Sequence, residues 1–561
     1  LKKVFTHFPN NVDLRNGLCF CLCELGNQYH SKRNFRFAEM TFLEAIRYNP
    51  FKSEYFFNLG NAYYSQQKYQ LALDNYEQSL TLKKDAETVI CIGNTLRSLG
   101  NYLAAKGMYS NALNINSDLT HAEIELVHLK QNLCDWDNII VHYENIKKKI
   151  NTHTKSIISP FTILSMPNMG CEEQLKVSSL WASHYHAQPI NLAKKFLKKS
   201  KISIGYLSSD FRLHPLYFLI IDVLKNHDEK SFDITLYYSG QDENTQEQND
   251  LKSIGHEFIN ISDMSDLDAA HLISSNNTDI LVDLSGFTKN SRSLLAVYKP
   301  ARIHINWLGF AGTMGYYNSS PLCDYILADQ YTIPEKQREF YAEDIVYLPH
   351  CYQPNIENRA TLSAITKDKY GFSNDHFIFA SFGQTIKITE DQFKLWIRIL
   401  KDVPRGVLWL LESNDISMKN LLVYAEKSGI DPSRIYFAKK IIFTEHIDRH
   451  QVIDLFLDTF PYNAHTSTAD ALWAHCPVLT KSGETFASRV AGSILTEIGC
   501  PELVVDCNEA YYKEAVRYAS DQKSLDKVKQ KIIIGKEIST LFKPKIFTTE
   551  LEKIYSRLVL D

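Results

Sequence analysis

A pentad that returns at near-constant spacing constrains this chain more than any other feature. Leu25-Gly26-Asn27-Gln28-Tyr29 recurs as LGNAY at 59–63 and as IGNTL at 92–96, with the glycines 34 and 33 residues apart. Twelve residues after each glycine stands an alanine (Ala38, Ala72, Ala105), and four further on an aromatic (Phe42, Tyr76, Tyr109). Residues four apart share one face of a helix. A unit of this length is a helix–turn–helix that cannot bury its apolar face alone, so consecutive units stack. The small residues are expected to let the two helices of a unit approach closely. The aromatics are expected to fill the gap to the next unit. Pro50 ends the first period, and a further helical stretch, 119–150, is expected to cap the stack and bridge to the next domain.

This register resembles the tetratricopeptide repeat, whose superhelix offers a concave surface to peptide-like partners; a plain packing module is the alternative. The chain has 561 residues, enough for about three or four domains. A formal net charge of −4 argues against a general nucleic-acid binder, and the basic run KKFLKKSKIS (194–203) reads as solvated linker. No uninterrupted apolar run reaches the length of a membrane span. The opening LKKVFTHFPNNVD lacks the apolar core and cleavage site of a signal peptide. Without a starting Met it is expected to be trimmed from something longer. Eleven cysteines without disulfide-like spacing read as reduced thiols of a cytoplasmic protein. Cys19, Cys21 and Cys23 sit two apart, so on a helix they point in different directions and cannot converge on a metal.

After about residue 200 the pattern changes to short strands alternating with helical segments. KISIGYLSSDF, FDITLYYSG, TDILVDLSG and IHINWLGFAG form one set; HFIFASFGQ, GVLWLLES, RIYFAKK, VIDLFLDTF and CPVLTKSG form another. Apolar strands alternating with helices predict parallel sheets covered on both faces. Two doubly wound domains are therefore expected, with ligands in the crevice beyond the carboxyl ends of the strands. Functional residues should lie just after strands: Arg212 and His214; Gln384 and Lys387; His446 and Arg449; and the loop TFPYNAHTSTADALW (459–473). These loops, facing one cleft, suit a dianion, most simply a diphosphate. The last loop is glycine-free, but a helix start offers free N–H groups, and His465, Thr466, Ser467 and Thr468 add side-chain donors. Ser467-x-x-Asp470 reads equally as a capping box with no ligand. Asp283, at a strand end, reads as a turn cap.

At these residues the sequence resembles the O-GlcNAc transferase family. The stretches that carry the resemblance run in order from IGYLSSDFRLHP (204–215), DLSGFTKNSR (283–292) and INWLGFAGTMG (305–315) through DYILADQYTIP (324–334), YLPHCYQP (347–354), FGQTIKI (382–388) and VLWLLES (407–413). They end with LDTFPYNAHTSTADALWAHCPVLT (457–480) and GETFASRVAGSIL (483–495). The resemblance implies a tetratricopeptide solenoid (1–118), a helical cap or linker (119–199) and a GT-B fold of two Rossmann-like halves (200–365 and 366–561). It implies inverting, metal-independent transfer from UDP-GlcNAc to a protein Ser or Thr, with no resident cofactor. Lys387, beside Gln384, would neutralise the diphosphate. His465, Thr466 and Ser467 would meet it from the helix start, and Asp470 would hold the ribose. Ala438, His446 and Arg449 would line the uridine pocket, and His214 would serve as base or positioning group by the acceptor.

The sequence departs from the family pattern in places. The asparagine ladder of the concave face would fall at Glu24, Asn58 and Cys91, where only Asn58 carries an amide. Tyr462 replaces a small residue near the expected N-acetyl pocket, which leaves UDP-glucose open as donor. The joining segment from 347 to 382 is short, as in a compact bacterial member. Two other readings stand beside the first: a UDP-glucose-dependent transferase acting on asparagine, and a repeat scaffold with an inactive transferase domain. Whether the chain pairs as a homodimer stays open.

Overall fold

The computed structural model describes residues 10–152, 157–185, 190–193, 199–360 and 362–560. The first nine residues and the basic run at 194–198 lie outside them. The chain divides into two compact units, residues up to 130 together with 263–269, and 131–262 together with 270 onward.

The first unit contains three antiparallel helix pairs: α1 (Val12–Ser31) with α2 (Phe35–Tyr48), α3 (Ser53–Ser65) with α4 (Tyr69–Leu82), and α5 (Ala86–Ser98) with α6 (Tyr102–Ile115). Asn11 and Asp85 cap α1 and α5 by accepting from backbone N–H groups three residues on. A side chain at Gly60 would put its Cβ 2.6 Å from the Tyr76 ring, and one at Gly93 the same distance from Tyr109. The aromatics therefore fill the space over the glycine of their own repeat, and Tyr76 also reaches Cys91 of the next, as the sequence suggested. In the second and third repeats the asparagine beside the glycine also holds the ring. Tyr76 Oη donates to Asn61 Oδ1 and Tyr109 Oη to Asn94 Oδ1, both at 2.7 Å. Asn58 Nδ2 points back to Asn27 Oδ1 (3.2 Å) and Cys23 Sγ (3.3 Å), which ties successive repeats together. Cys19 and Cys23 are buried on α1 while Cys21 is exposed, so these thiols pack separately.

The second unit carries two parallel sheets. The first holds β1 (Ile202–Ser208), β2 (Phe232–Tyr238), β3 (Glu257–Asn260), β4 (Ile280–Asp283) and β5 (Ile303–Asn306). After a hairpin of β6 (Tyr316–Tyr317) and β7 (Ser320–Pro321) it is completed by β8 (Tyr325–Ala328) and β9 (Asp344–Tyr347). Its order is β3-β2-β1-β4-β5-β8-β9. The second sheet comprises β10 (Phe377–Ser381), β11 (Gly406–Leu411), β12 (Ile435–Ala438), β13 (Leu455–Leu457), β14 (Val478–Lys481) and β15 (Val504–Val505), in the order β12-β11-β10-β13-β14-β15. Both are doubly wound, as expected. Strand order reverses at β1/β4 in one and at β10/β13 in the other. Crevices open at such reversals because the flanking connections run to opposite faces. The C-terminal helix Pro544–Leu560 returns to the first half: Tyr555 Oη meets Tyr206 Oη at 3.2 Å, and Glu552 takes a bond from His227 Nδ1.

Candidate active site

Lys387 and the glycine-free loop come from neighbouring strands at the reversal of the second sheet. Gln384, exposed, begins the 3₁₀ turn Thr385–Lys387 after β10, and residues 458–465 follow β13. Lys387 Nζ donates to Asn463 O (2.8 Å) and lies 3.8 Å from the Tyr462 ring centroid. Burial pushes this ammonium down to about 8, against the pull of Asp458.

Asp458 is why the loop needs no glycine. Its Oδ1 accepts from the N–H groups of Thr459 (2.7 Å) and Ala464 (2.6 Å), and its Oδ2 from Thr480 Oγ1 (2.6 Å). Asn463 Nδ2 donates to Thr459 O, and Thr468 Oγ1 to Ala464 O. One buried carboxylate thus closes a turn that a glycine-rich loop would close by backbone contact alone. His465 is the N-cap of the helix Thr466–Trp473, and no side chain caps it. The capping-box reading of Ser467 and Asp470 is therefore corrected: Ser467 lies inside the helix and Asp470 is engaged elsewhere. Among the described residues, no acceptor meets the N–H or hydroxyl groups of Thr466 and Ser467. Burial and nearby Lys387 hold the His465 imidazole well below its usual range, hence neutral.

A second cluster adjoins the first. Asp470 is buried and ion-paired to Arg359, and its Oδ2 lies 3.9 Å from His446 Nε2. His446 Nδ1 faces an Arg449 guanidinium nitrogen, so the ring proton is on Nε2, toward Asp470. Burial and the positive charges nearby push His446 down to about 2. Arg449 donates to Lys439 O (2.8 Å), just beyond Ala438 at the end of β12, and its guanidinium carbon sits 4.2 Å from the Phe382 centroid. Ala438, His446, Arg449 and Asp470 thus share one neighbourhood with Phe382 and His450. Of these residues the sequence reading missed Asp458, Arg359, Phe382 and His450. The acidic residue directly after β13 was a signal for Asp458; for Arg359 there was none.

The first half brings His214 to the end of β1. Its Nδ1 accepts from Leu216 N (3.2 Å), and burial lowers its pKa. Arg212, expected to face the ligand, is instead paired with Asp210 (3.3 Å) and Glu243 (3.0 Å), because both acids lie beside it. Asp283 caps its own turn, accepting from Ser285 N and Gly286 N. The two halves meet where Phe218, four residues after His214, stacks on Phe443 at the start of the helix bearing His446, with centroids 3.9 Å apart.

The glycosyl transferase family 41 model matches residues 174–356 and 353–551, and a tetratricopeptide repeat model matches 53–85. The chain is 30% identical over 451 residues to the probable UDP-N-acetylglucosamine–peptide N-acetylglucosaminyltransferase SEC of Arabidopsis thaliana, covering 76% of this chain and 46% of that one. It is 24% identical to the UDP-N-acetylglucosamine–peptide N-acetylglucosaminyltransferase of Caenorhabditis elegans, covering 76% and 48%. It therefore spans about half the length of these relatives. A mutant O-GlcNAc transferase of Thermobaculum terrenum superposes with a TM-score of 0.69 over 97% of this chain and 98% of its own, at 21% identity, and so shares the fold. With the family model matching both sheet domains, the chain belongs to glycosyl transferase family 41.

Proposed function

We propose that the second unit binds a UDP-sugar between its halves and transfers the sugar, with inversion, to a Ser or Thr hydroxyl of a protein. The observation that carries this reading is the Lys387 ammonium beside an unfilled helix N-terminus. The acceptor oxygen bonds to the anomeric carbon as the bond from that carbon to the β-phosphate oxygen breaks, and the hydroxyl proton passes to the departing diphosphate or to water. Charge then develops on the leaving diphosphate. Lys387 and the N–H and hydroxyl groups of Thr466 and Ser467 meet it, a task they can perform without a metal. Neutral His465 directs its one ring N–H to Ala487 O (3.4 Å), so it lines the site without donating to the phosphates. Asp470 takes the ribose, and His446 with Arg449 the uracil. His214, whose Nδ1 already accepts, presents Nε2–H and so positions a ligand oxygen rather than removing its proton.

GlcNAc is the donor sugar supported by the names of the relatives. Tyr462 favours a second reading, glucose, because its ring fills the space beneath Lys387 where a smaller side chain would leave room for an acetamido group. Intact-mass spectrometry of an acceptor protein incubated with each UDP-sugar decides. An N-acetylhexosamine increment supports the first reading, and a hexose increment the second. No UDP binding at millimolar concentration by calorimetry leaves only a scaffold. No described helix is long and apolar enough to cross a membrane.

A further inference from the structure

We infer that Arg359, in the segment that joins the two halves, is a positioning residue of the donor site: it fixes Asp470 so that one carboxylate oxygen is left to accept from a nucleotide's ribose. This rests on the reading of Asp470 as the ribose ligand. Arg359 is 4% exposed and Asp470 7%. One guanidinium nitrogen bonds to Asp470 Oδ1 and another to Asn355 Oδ1. The fork is thus anchored at both ends, which a lysine could not reproduce. The joining segment is itself pinned to both helices of the pocket. Trp473 Nε1 donates to Ala360 O (2.9 Å), and Ser363 N to Asp448 Oδ1 (2.9 Å).

The consequence falls on Asp470 Oδ2. It has no hydrogen-bond partner among the described residues, and the facing His446 Nε2 is 3.9 Å away, beyond hydrogen-bond reach. A buried carboxylate with no cation would take up a proton and lose its power to accept. Burial raises the Asp470 carboxyl, and the Arg359 cation bonded at Oδ1 opposes that rise while Oδ2 stays available. The other charged or titratable groups around the pair are His446, Arg449 and His450, the two histidines being held neutral by burial.

The test compares UDP with 2′,3′-dideoxy-UDP by calorimetry on the full chain. The wild type is expected to prefer UDP by about tenfold or more, the range of a hydrogen bond to a charged group. In Arg359→Gln the preference should collapse to within about threefold, as in Asp470→Asn, because both leave the ribose without an ionised acceptor. A merely structural arginine would weaken both ligands by one common factor; an unchanged ratio would overturn the proposal. Should Arg359→Gln not fold, Arg359→Lys carries the test. It should lower the ratio by about threefold because it cannot hold both partners, and an unaltered ratio again overturns the inference. A wild type that binds both nucleotides equally refutes the ribose role of Asp470, and one that binds neither refutes the nucleotide reading itself.

Discussion

Replacing Lys387 by Met should leave the protein folded but much weaker in holding UDP. Burial lowers the ammonium to about 8, which corresponds to roughly 3 kcal/mol of unfavourable environment for the charge, at about 1.4 kcal/mol per pKa unit. Methionine of similar length removes that penalty. It also abandons the charge-assisted bond to Asn463 O, worth about 1.5–3 kcal/mol, and the contact with Tyr462, worth about 1 kcal/mol. These terms nearly cancel, so stability should stay within about 1 kcal/mol of wild type. The ligand loses a charge-assisted hydrogen bond worth about 1.5–3 kcal/mol, so UDP should bind roughly 10- to 150-fold more weakly. Chemical denaturation and calorimetry measure the two effects. The sign of the pH dependence follows from the lowered folded-state value. Below about 8 the lysine is charged in both states and the folded state bears the penalty. Between there and the unfolded-state value the folded chain has released the proton while the unfolded chain still holds it. Wild-type stability relative to Lys387→Met should therefore rise with pH across that window. Near pH 8.5, UDP binding should take up a proton in the wild type and not in the variant, seen as buffer-dependent heats. A variant that loses more than about 3 kcal/mol of stability yet binds UDP normally would show Lys387 to be structural and refute the reasoning.

Two further outcomes rest on the same geometry. Gly60→Ala drives a Cβ into Tyr76 and disturbs its bond to Asn61; urea denaturation should show a loss of about 2–4 kcal/mol in the repeat unit, and a loss under about 0.5 would mean the interface yields freely. Ser467→Ala should change stability by less than about 0.5 kcal/mol, since the hydroxyl caps nothing. It should nonetheless weaken UDP several-fold by calorimetry; the reverse pattern would restore the capping box.

The strands, the repeats and the residues placed after strands were legible in the sequence because periodicity is local. Alternation and helix spacing are set by neighbours a few residues away. The joining of those residues was not local. Lys387 and the loop at 458–465 are about 75 residues apart, and only the pairing of β10 with β13 brings them together. Nothing in the local pattern says which strand lies beside which. Charges behaved similarly. Arg212 read as ligand-facing, yet Glu243, from the segment after β2, takes it. Asp470 read as a ribose ligand or as a cap, yet Arg359, 111 residues earlier, holds one of its oxygens. A buried charge must find a partner wherever the fold supplies one. The sequence by itself determined the elements, the family and the inventory of polar groups at strand ends. The tertiary structure decided which of those groups remain available to a ligand and which are consumed in holding the site together.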